Sequence, residues 1–186
     1  MTRRTAAARG TSVTLAEAAE HWPAIERIFF LTAGGLAADA TAAARRAHLA
    51  RWTGYYRDEA PADTHIRITD DGTVVGYLMG CSDSRAAGRL YRDIPYYAAF
   101  ENLFDTFPAH FHVNCHPDHQ GRGHGTALVV AFVDAMRRGG TAGIHVVTSA
   151  EAGNAGFYRA CGFSLLRETR WRGRTLLCLG RETGAT

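Results

Sequence analysis

Apolar side chains at helical spacing dominate the first third of the chain. Residues 15–56 are rich in alanine, and one stripe of larger apolar side chains comprises Trp22, Ile25, Ile28 and Phe29. A spacing of three and four residues places such side chains on one face of a helix. Leu49 and Trp52 mark a second helix, which the pattern predicts to end near Gly54.

An alternation of apolar and polar residues then predicts a β-hairpin. Residues 65–69 read His-Ile-Arg-Ile-Thr, and residues 74–79 form a second, almost wholly apolar run. Asp70-Asp71-Gly72 between the two runs has the composition of a tight turn. We therefore expect two antiparallel strands joined by this turn.

The second half of the chain alternates between predicted strands and helices. It begins with a segment over 82–108 that contains six aromatic residues; a connection of this length is either functional or contains a helix of its own. The predicted elements after it are a strand over 109–115, a helix over 126–138, a strand over 144–148, a short helix ending at Cys161-Gly162, and strands over 163–171 and 175–179. This order predicts a mixed α/β sheet.

Composition narrows the class of protein. The chain has 186 residues and a net charge of +3, so we expect one domain over 15–182 that follows a flexible basic tail over 1–14. No apolar run approaches the roughly 20 residues that cross a bilayer. The basic residues are spread along the chain, which gives no support for nucleic-acid binding. All of them are arginine, and the absence of lysine excludes Schiff-base chemistry and a P-loop.

The cysteines give an expectation about the compartment. Cys81, Cys115, Cys161 and Cys178 stand singly, without the paired spacing of a redox or zinc motif. Such a pattern is typical of reduced, mostly buried thiols. We therefore expect a cytoplasmic protein.

A glycine-rich loop lies between the strand over 109–115 and the following helix. Gly121, Gly123 and Gly125 lack the Cβ atom that would hold a ligand away from the backbone, and the loop leads directly into a helix N-terminus. The unpaired N–H groups and the positive dipole end of a helix favour an anion there. The pattern therefore favours a phosphate-bearing cofactor, although an ordinary tight turn would have the same composition.

Two motifs together resemble the GNAT superfamily of acetyl-CoA-dependent N-acetyltransferases. Gln120-Gly121-Arg122-Gly123-His124-Gly125 is similar to the Q/R-x-x-G-x-G/A motif of that family. Downstream, the run from Gly156 to Phe163 is similar to its F/L-Y-x-x-x-G-F signature. The resemblance implies a mixed, mostly antiparallel central sheet flanked by helices and transfer of an acetyl group from acetyl-CoA.

The resemblance also implies the residues that bind the cofactor. Backbone groups of the loop would cradle the pyrophosphate, and the edge of the preceding strand would pair with the pantetheine arm. Tyr158 would protonate the departing thiolate, a role that suits a phenol. Family members carry an asparagine further upstream of this tyrosine than Asn154, and Glu151 takes the more typical position. The cofactor-binding residues are thus Val113, Asn114, Cys115, Gln120, Gly121, Arg122, Gly123, His124, Gly125, Thr126, Asn154 and Tyr158.

The group that accepts the proton of the amine has three candidates. The strand over 109–115 carries no carboxylate; instead His110, His112 and Asn114 alternate along it and face one way. Histidine can accept a proton near neutral pH, and some GNAT enzymes use histidines on this strand as a relay. Glu101 and Asp105 in the aromatic segment are rivals, and solvent is the third candidate.

The aromatic segment and the strand over 109–115 also give expectations about the acceptor and about a metal site. Tyr96, Tyr97, Glu101 and Asp105 would suit a small cationic amine with an apolar body. The histidines around Cys115 are dense, but their spacing matches no zinc pattern, so we expect no metal. Two other functions stay open, a coenzyme A-binding relative without activity and an acetyltransferase that modifies protein; a homodimer also stays open.

Overall fold

A computed structural model describes residues 9–32, 34 and 36–184 of the chain. Its strands are β1 (Thr11–Thr14), β2 (His65–Ile68), β3 (Val74–Cys81), β4 (Ala109–Cys115), β5 (Gly143–Ser149), β6 (Ser164–Trp171) and β7 (Arg174–Glu182). Its helices are α1 (Trp22–Thr32), α2 (Ala42–Asp58), α3 (Gly88–Asp93), α4 (His124–Arg138) and α5 (Ala155–Ala160). Short 3-10 turns connect several of them, the longest over Pro95–Leu103.

The seven strands form one sheet in the order β1-β2-β3-β4-β5-β7-β6. The neighbours β1 and β2, β2 and β3, β5 and β7, and β6 and β7 are antiparallel, whereas β4 and β5 are parallel. The predicted fold class, a mixed and mostly antiparallel sheet with helices, is therefore confirmed.

The chain divides into two compact units. The first comprises Met1–Met79 and Val113–Phe132, and the second comprises Gly80–His112 and Val133–Thr186. The chain passes from one unit to the other inside β4, between His112 and Val113. The single domain over 15–182 stays a prediction from the sequence.

In the first unit the ordered chain begins earlier than the sequence indicated. Thr11–Thr14, assigned above to a flexible tail, forms β1 and pairs residue by residue with β2 from Thr11↔Ile68 to Thr14↔His65. The short polar run has no apolar period of its own, and only its partner strand makes it extended. The tail residues 1–8 lie outside the described residues.

The helices of the first unit follow the predicted stripes. Ile25, Ile28 and Phe29 of α1 are buried. The Thr41 hydroxyl accepts a hydrogen bond from the Ala44 N–H and caps α2. Helix α2 continues to Asp58, one turn beyond the predicted end, because Tyr55 and Tyr56 are buried and extend its apolar face past Gly54.

Strand β3 approaches the end of β4 closely. A Cβ atom on Gly76 would lie 3.0 Å from both the Asn114 carbonyl oxygen and the Cys115 sulfur. The His116 N–H donates to the Val75 carbonyl oxygen at 2.9 Å, which continues the contact past the last residue of β4. The glycine is therefore required by backbone packing rather than by a turn.

In the second unit β5, β7 and β6 form an antiparallel ladder. The hairpin between β6 and β7 turns at Arg172 and Gly173, both with positive φ, as the tight turns of twisted hairpins require. Strand β4 pairs in parallel with β5 of this ladder at Ala109↔Ile144 and His110↔His145.

The aromatic segment over 82–108 contains α3 and the 3-10 turn over Pro95–Leu103. Its aromatic residues Tyr97, Phe100 and Phe104 are buried. The guanidinium of Arg167 in β6 donates to the Ala99 carbonyl oxygen at 3.2 Å and to Asn102 Oδ1 at 2.6 Å. The segment thus contains helical elements of its own with an apolar side in the core, and its role in binding an acceptor stays a prediction.

Helix lengths and thiols complete the description of residues 9–32, 34 and 36–184. None of the described helices combines the length and apolarity that a membrane crossing requires. All four cysteines are free thiols.

Candidate functional site

The first part of the candidate site is the glycine loop, residues 120–126, which lies in the first unit. Gly121 and Gly123 adopt φ values of 70° and 87°, a region in which a side chain would be strained. The Gln120 side-chain amide donates to the Cys115 carbonyl oxygen at 3.1 Å and ties the loop back to β4. The predicted glycine loop therefore has a conformation that favours glycine at two positions, and its binding of a cofactor stays a prediction.

The loop presents backbone N–H groups at the N-terminus of α4. The N–H of Ala127 donates to the Gly123 carbonyl oxygen at 3.0 Å, so the N–H groups of His124, Gly125 and Thr126 come before the first N–H that donates within the helix. Such groups, with the helix dipole behind them, stabilise a phosphate. The loop therefore has the geometry to hold a phosphate group.

Basic side chains surround the loop. His124 is buried, and its Nδ1 has no hydrogen-bond partner in the described structure. Burial lowers the pKa of His124, and the charges of Arg67, His119 and Arg122 lower it further. Arg67, a buried cation on β2, was missed by the sequence analysis because the alternation of β2 gave it only the role of a polar strand residue.

The C-terminal half of β4 is less buried than its beginning. Residues 109–111 are buried, whereas Val113, Asn114 and Cys115 have intermediate exposure. The Asn114 side-chain amide donates to the Tyr77 hydroxyl at 3.0 Å, and burial raises the pKa of the Cys115 thiol to about 11. Cys115 is thus a neutral thiol at physiological pH.

The second part of the candidate site lies in the second unit and centres on Tyr158. This tyrosine of α5 is 4% exposed. Its ring contacts Phe111 and Phe163 in edge-on geometry, with centroids 6.1 and 6.4 Å away. Burial raises the pKa of its hydroxyl above the ordinary value, so Tyr158 remains protonated in the neutral range.

Asn154 immediately precedes α5. Its Oδ1 accepts a hydrogen bond from the Thr148 hydroxyl at 2.6 Å, which orients the amide. Glu151, at the position more typical of the family's asparagine, is exposed and receives a hydrogen bond from Ser149. Thr148 is a supporting residue that no pattern in the chain singles out.

The histidines of β4 differ in their surroundings. His110 is fully buried, and its Nδ1 lies 2.6 Å from the Ser84 hydroxyl. Burial and the neighbouring His145 and His112 lower its pKa well below the ordinary value. His112 is half-buried, and burial lowers its pKa to about 4. Both rings are therefore neutral at physiological pH.

Ser84, Tyr97, Phe104, His110 and His145 form what we call the histidine cluster. The rings of Tyr97 and His145 lie 5.1 and 5.6 Å from that of His110. His145 stacks on Phe104 at 4.9 Å. His145 could not be singled out from the sequence, since no local pattern reveals that β5 pairs in parallel with β4 at this register.

The four predicted acceptor-binding residues separate into two groups. Glu101 and Asp105 are exposed, and both face Arg85, whose guanidinium nitrogens lie 3.8 and 2.7 Å from their carboxylate oxygens. Tyr97 is buried in the histidine cluster and stacks on Tyr96, which keeps intermediate exposure. Of the two tyrosines, Tyr96 is thus the more accessible to a ligand.

The predicted absence of a metal site stays a prediction. Among the residues that the structure describes, no group of three or more His, Cys, Asp or Glu side chains is arranged to hold a metal ion. The rings of His116 and His119 lie 5.7 Å apart and pack edge to face.

Solved structures resemble this fold over nearly its whole length. SsHAT covers 95% of this chain and 99% of its own, with a TM-score of 0.73 and 22% identity. The Salmonella typhimurium protein yncA, an inferred acetyltransferase with its cofactor acetyl-CoA, has a TM-score of 0.62, 19% identity and 94% coverage of both chains. The ribosomal-protein-S18-alanine N-acetyltransferase of Escherichia coli has a TM-score of 0.61, 14% identity and 94% coverage of both. These likenesses concern the fold.

The family itself is identified from the sequence. No curated protein matches the chain. The family model of the acetyltransferase (GNAT) family, in contrast, matches residues 22–163, most of the chain and segments of both compact units. Its span includes the glycine loop, both histidines of β4 and Tyr158. The chain therefore belongs to the GNAT family of acetyltransferases.

Proposed function

We propose that the protein transfers an acetyl group from acetyl-CoA to the amine of a small molecule, by direct attack in a ternary complex. The observation that carries the proposal is the glycine loop, whose positive-φ glycines open into the N-terminus of α4. Membership of the GNAT family supports the same reaction class.

The glycine loop and β4 would hold the cofactor. Backbone N–H groups over 121–126 would bind the diphosphate, and the partly exposed residues Val113, Asn114 and Cys115 would pair with the pantetheine arm as an added strand. Bound acetyl-CoA supplies a thioester, whose acyl carbon the amine attacks while the carbon–sulfur bond breaks.

Tyr158 would supply a proton to the leaving sulfur. Its hydroxyl is protonated throughout the neutral range, since burial raises its pKa. A thiol has an ordinary pKa of ~8.5, below that of a phenol, so the hydroxyl would stabilise the negative charge that develops on the sulfur by donating a hydrogen bond to it and would transfer its proton only as the carbon–sulfur bond breaks. The ring is fixed by Phe111 and Phe163, which favours a constant position of the hydroxyl.

His112 and His110 would accept the proton that the amine loses. Both are neutral at physiological pH, as a base must be before it accepts a proton. Their lowered pKa makes them weak bases, but the nitrogen of an attacked amine becomes acidic as its new bond forms. Glu101 and Asp105 are less suited, because each is an exposed carboxylate facing Arg85.

A small cationic amine is the acceptor that the surface favours. Tyr96 offers an accessible aromatic ring, and Glu101 and Asp105 offer negative charge on the same segment. An acetyltransferase that modifies protein is the alternative that the fold likeness to a ribosomal-protein acetyltransferase keeps open.

An acceptor screen tests the proposal. The purified protein is incubated with acetyl-CoA and a panel of polyamines, amino sugars, aryl-alkylamines and peptides with free N-termini. Release of the coenzyme A thiol is recorded, and product masses are measured. Thiol release with a small amine and a mass gain of one acetyl group supports the proposal; acetylation of peptides alone supports the alternative. Tight coenzyme A binding without turnover on any amine would leave only a binding protein.

A further inference from the structure

Ser84, in the segment between β3 and α3, occupies a fixed position beside His110. It is fully buried. Its N–H donates to the Pro108 carbonyl oxygen at 2.8 Å, and its own carbonyl oxygen accepts a hydrogen bond from the Tyr91 hydroxyl. The main chain of Ser84 is thus held on both sides, which fixes its Cβ atom beside the histidine.

The Ser84 hydroxyl contacts two groups at short distance. Its Oγ lies 2.6 Å from the Pro108 carbonyl oxygen and 2.6 Å from His110 Nδ1. A hydroxyl has one proton to donate, and a carbonyl oxygen can only accept. If the proton pointed to His110, two oxygen atoms would face each other at 2.6 Å with no hydrogen between them. The proton must therefore be donated to Pro108, and His110 Nδ1 must donate to Ser84.

This hydrogen-bond direction determines the tautomer of His110. We propose that Ser84 is a positioning residue, which holds His110 in the tautomer with the proton on Nδ1 and the lone pair on Nε2. The inference rests on the proposed function, in which the histidines of β4 accept the proton of the amine. A neutral imidazole has one accepting nitrogen, and the neighbour of the other nitrogen determines which one it is.

The neighbouring His145 provides an independent comparison. Its Nδ1 lies 2.7 Å from the Phe107 carbonyl oxygen and must carry the proton, since a carbonyl cannot donate. Its Nε2 is buried without a hydrogen-bond partner in the described structure. His145 therefore has the same tautomer as His110, but a carbonyl fixes it rather than Ser84.

The groups around His110 leave it neutral. His145 and His112 face it as titratable neighbours, and Tyr97 lies against its ring. Burial and the two histidines all disfavour its charged form. The ring thus spends its time as one of two neutral tautomers, and the choice between them decides whether Nε2 accepts a proton or already carries one.

The test reads the tautomer directly. The protein is labelled with ¹⁵N-histidine, and long-range proton–nitrogen correlation spectra distinguish a protonated ring nitrogen from a bare one. His110→Gln and His145→Asn assign the two rings. In the unaltered protein we expect a protonated Nδ1 and a bare Nε2 for both. A bare Nδ1 at His110 would overturn the proposal without any variant of Ser84.

Variants of Ser84 then test its role. Ser84→Ala removes the acceptor of the Nδ1 proton, so His110 should shift toward the Nε2–H form while His145 stays unchanged. Ser84→Thr retains a hydroxyl and should restore the original pattern, and Ser84→Cys keeps the volume if the alanine variant does not fold. Thr183→Val is a matched control, since it removes a buried hydroxyl that donates to carbonyl oxygens elsewhere. An unchanged His110 in a folded Ser84→Ala protein would overturn the proposal.

Kinetics with an identified acceptor test the positioning role of Ser84 and the base role of His110 separately. Ser84→Ala should lower kcat and leave the KM for acetyl-CoA unchanged. The loss of kcat should not exceed the contribution of a proton acceptor, about 10²–10⁴-fold. Ser84→Thr should recover most of it. If His110→Gln lowers kcat and Ser84→Ala does not, the positioning role is wrong. If His110→Gln itself leaves kcat unchanged, the proposed base fails, while the spectra still decide the tautomer.

Discussion

The ring of Tyr158 lies edge-on against the ring of Phe111, with their centroids 6.1 Å apart. Successive side chains of a strand point to opposite faces, so His110 and His112 project from the other face of β4. The contacts agree, because His110 packs with Tyr97 and His145. The candidate proton donor and the candidate proton acceptors therefore lie on opposite faces of one strand.

Replacement of Tyr158 by phenylalanine tests the donor. The ring contacts with Phe111 and Phe163 are kept, so Tyr158→Phe should fold and should bind acetyl-CoA normally. Loss of the donor should lower turnover about 10²–10⁴-fold. Steady-state rates, thermal unfolding and calorimetric affinity for acetyl-CoA are the measurements. Tyr56→Phe, another buried tyrosine, is the control. Near-normal turnover would make Tyr158 a core residue only.

A side chain at Gly123 tests the phosphate cradle. Gly123→Val introduces a β-branched residue at a φ of 87° and obstructs the approach to the backbone, so acetyl-CoA affinity should fall at least tenfold. Gly72→Val imposes similar strain at a φ of 83° in the turn between β2 and β3, where a Cβ meets nothing within 4 Å. Calorimetry on both folded variants should show loss of affinity only for Gly123→Val. Equal affinities would remove the assignment of the loop.

The pH profile of kcat tests His112. A base must be neutral, and burial lowers the pKa of His112 to about 4, so its acid limb should lie near pH 4 instead of at the ordinary histidine value near 6.5. Rates from short pH-jump assays between about pH 3 and 9 should show both sides of this limb in the unaltered protein. His112→Gln should lose it and should lower the plateau. A limb that persists in His112→Gln would assign the base to His110, a carboxylate or solvent.

Substitution of the two exposed carboxylates, Glu101 and Asp105, shows whether they accept the proton of the amine or only attract a cationic acceptor. Glu101→Gln with Asp105→Asn removes ion pairs that are worth about 0–1 kcal/mol at a surface, so stability should hardly change. If these groups attract a cationic acceptor, its KM should rise while kcat and the acid limb stay constant. Loss of kcat with loss of the acid limb would instead identify a carboxylate as the base. Asp134→Asn, which removes a surface pair with Arg137, is the matched control.

Acid should destabilise the protein through His145. Burial lowers its folded pKa to about 4, below the unfolded value near 6.5, so between these values only the unfolded state binds the proton. The free energy of unfolding should therefore fall as the pH drops from 6.5 to 4, by about 3 kcal/mol from this residue. His145→Asn keeps a donor for the Phe107 carbonyl oxygen and should remove that part of the slope in urea titrations. His21→Asn, at a partly exposed histidine, is the control.

Local pattern predicted most elements because their residues carry the information themselves. The stripe of Ile25, Ile28 and Phe29, the alternation in β2, and the glycines before α4 each determine a short structure without help from distant residues. Strand β1 was missed for the opposite reason, since only pairing with β2 makes Thr11–Thr14 extended.

The candidate site likewise contains residues that local motifs predicted and residues that only the fold brings together. The loop and Tyr158 lie in contiguous motifs, and the sequence alone singled them out. Arg67, Ser84 and His145 come from elsewhere in the chain and approach the loop or His110 only in the folded state. Long-range register and burial place these groups, and neither is encoded within a window of a few residues.

The bonds of Arg167 to Ala99 and Asn102 have a consequence for motion. A 3-10 turn is a weak element by itself, and the turn over Pro95–Leu103 carries Tyr96 and Glu101 as candidate acceptor contacts. One guanidinium on β6 thus holds a segment whose own hydrogen bonds contribute little. Its amides will exchange with solvent deuterium through local opening of this segment, well before global unfolding, at a rate set by the Arg167 contacts. The exchange rates of these amides therefore measure the free energy of local opening of the segment.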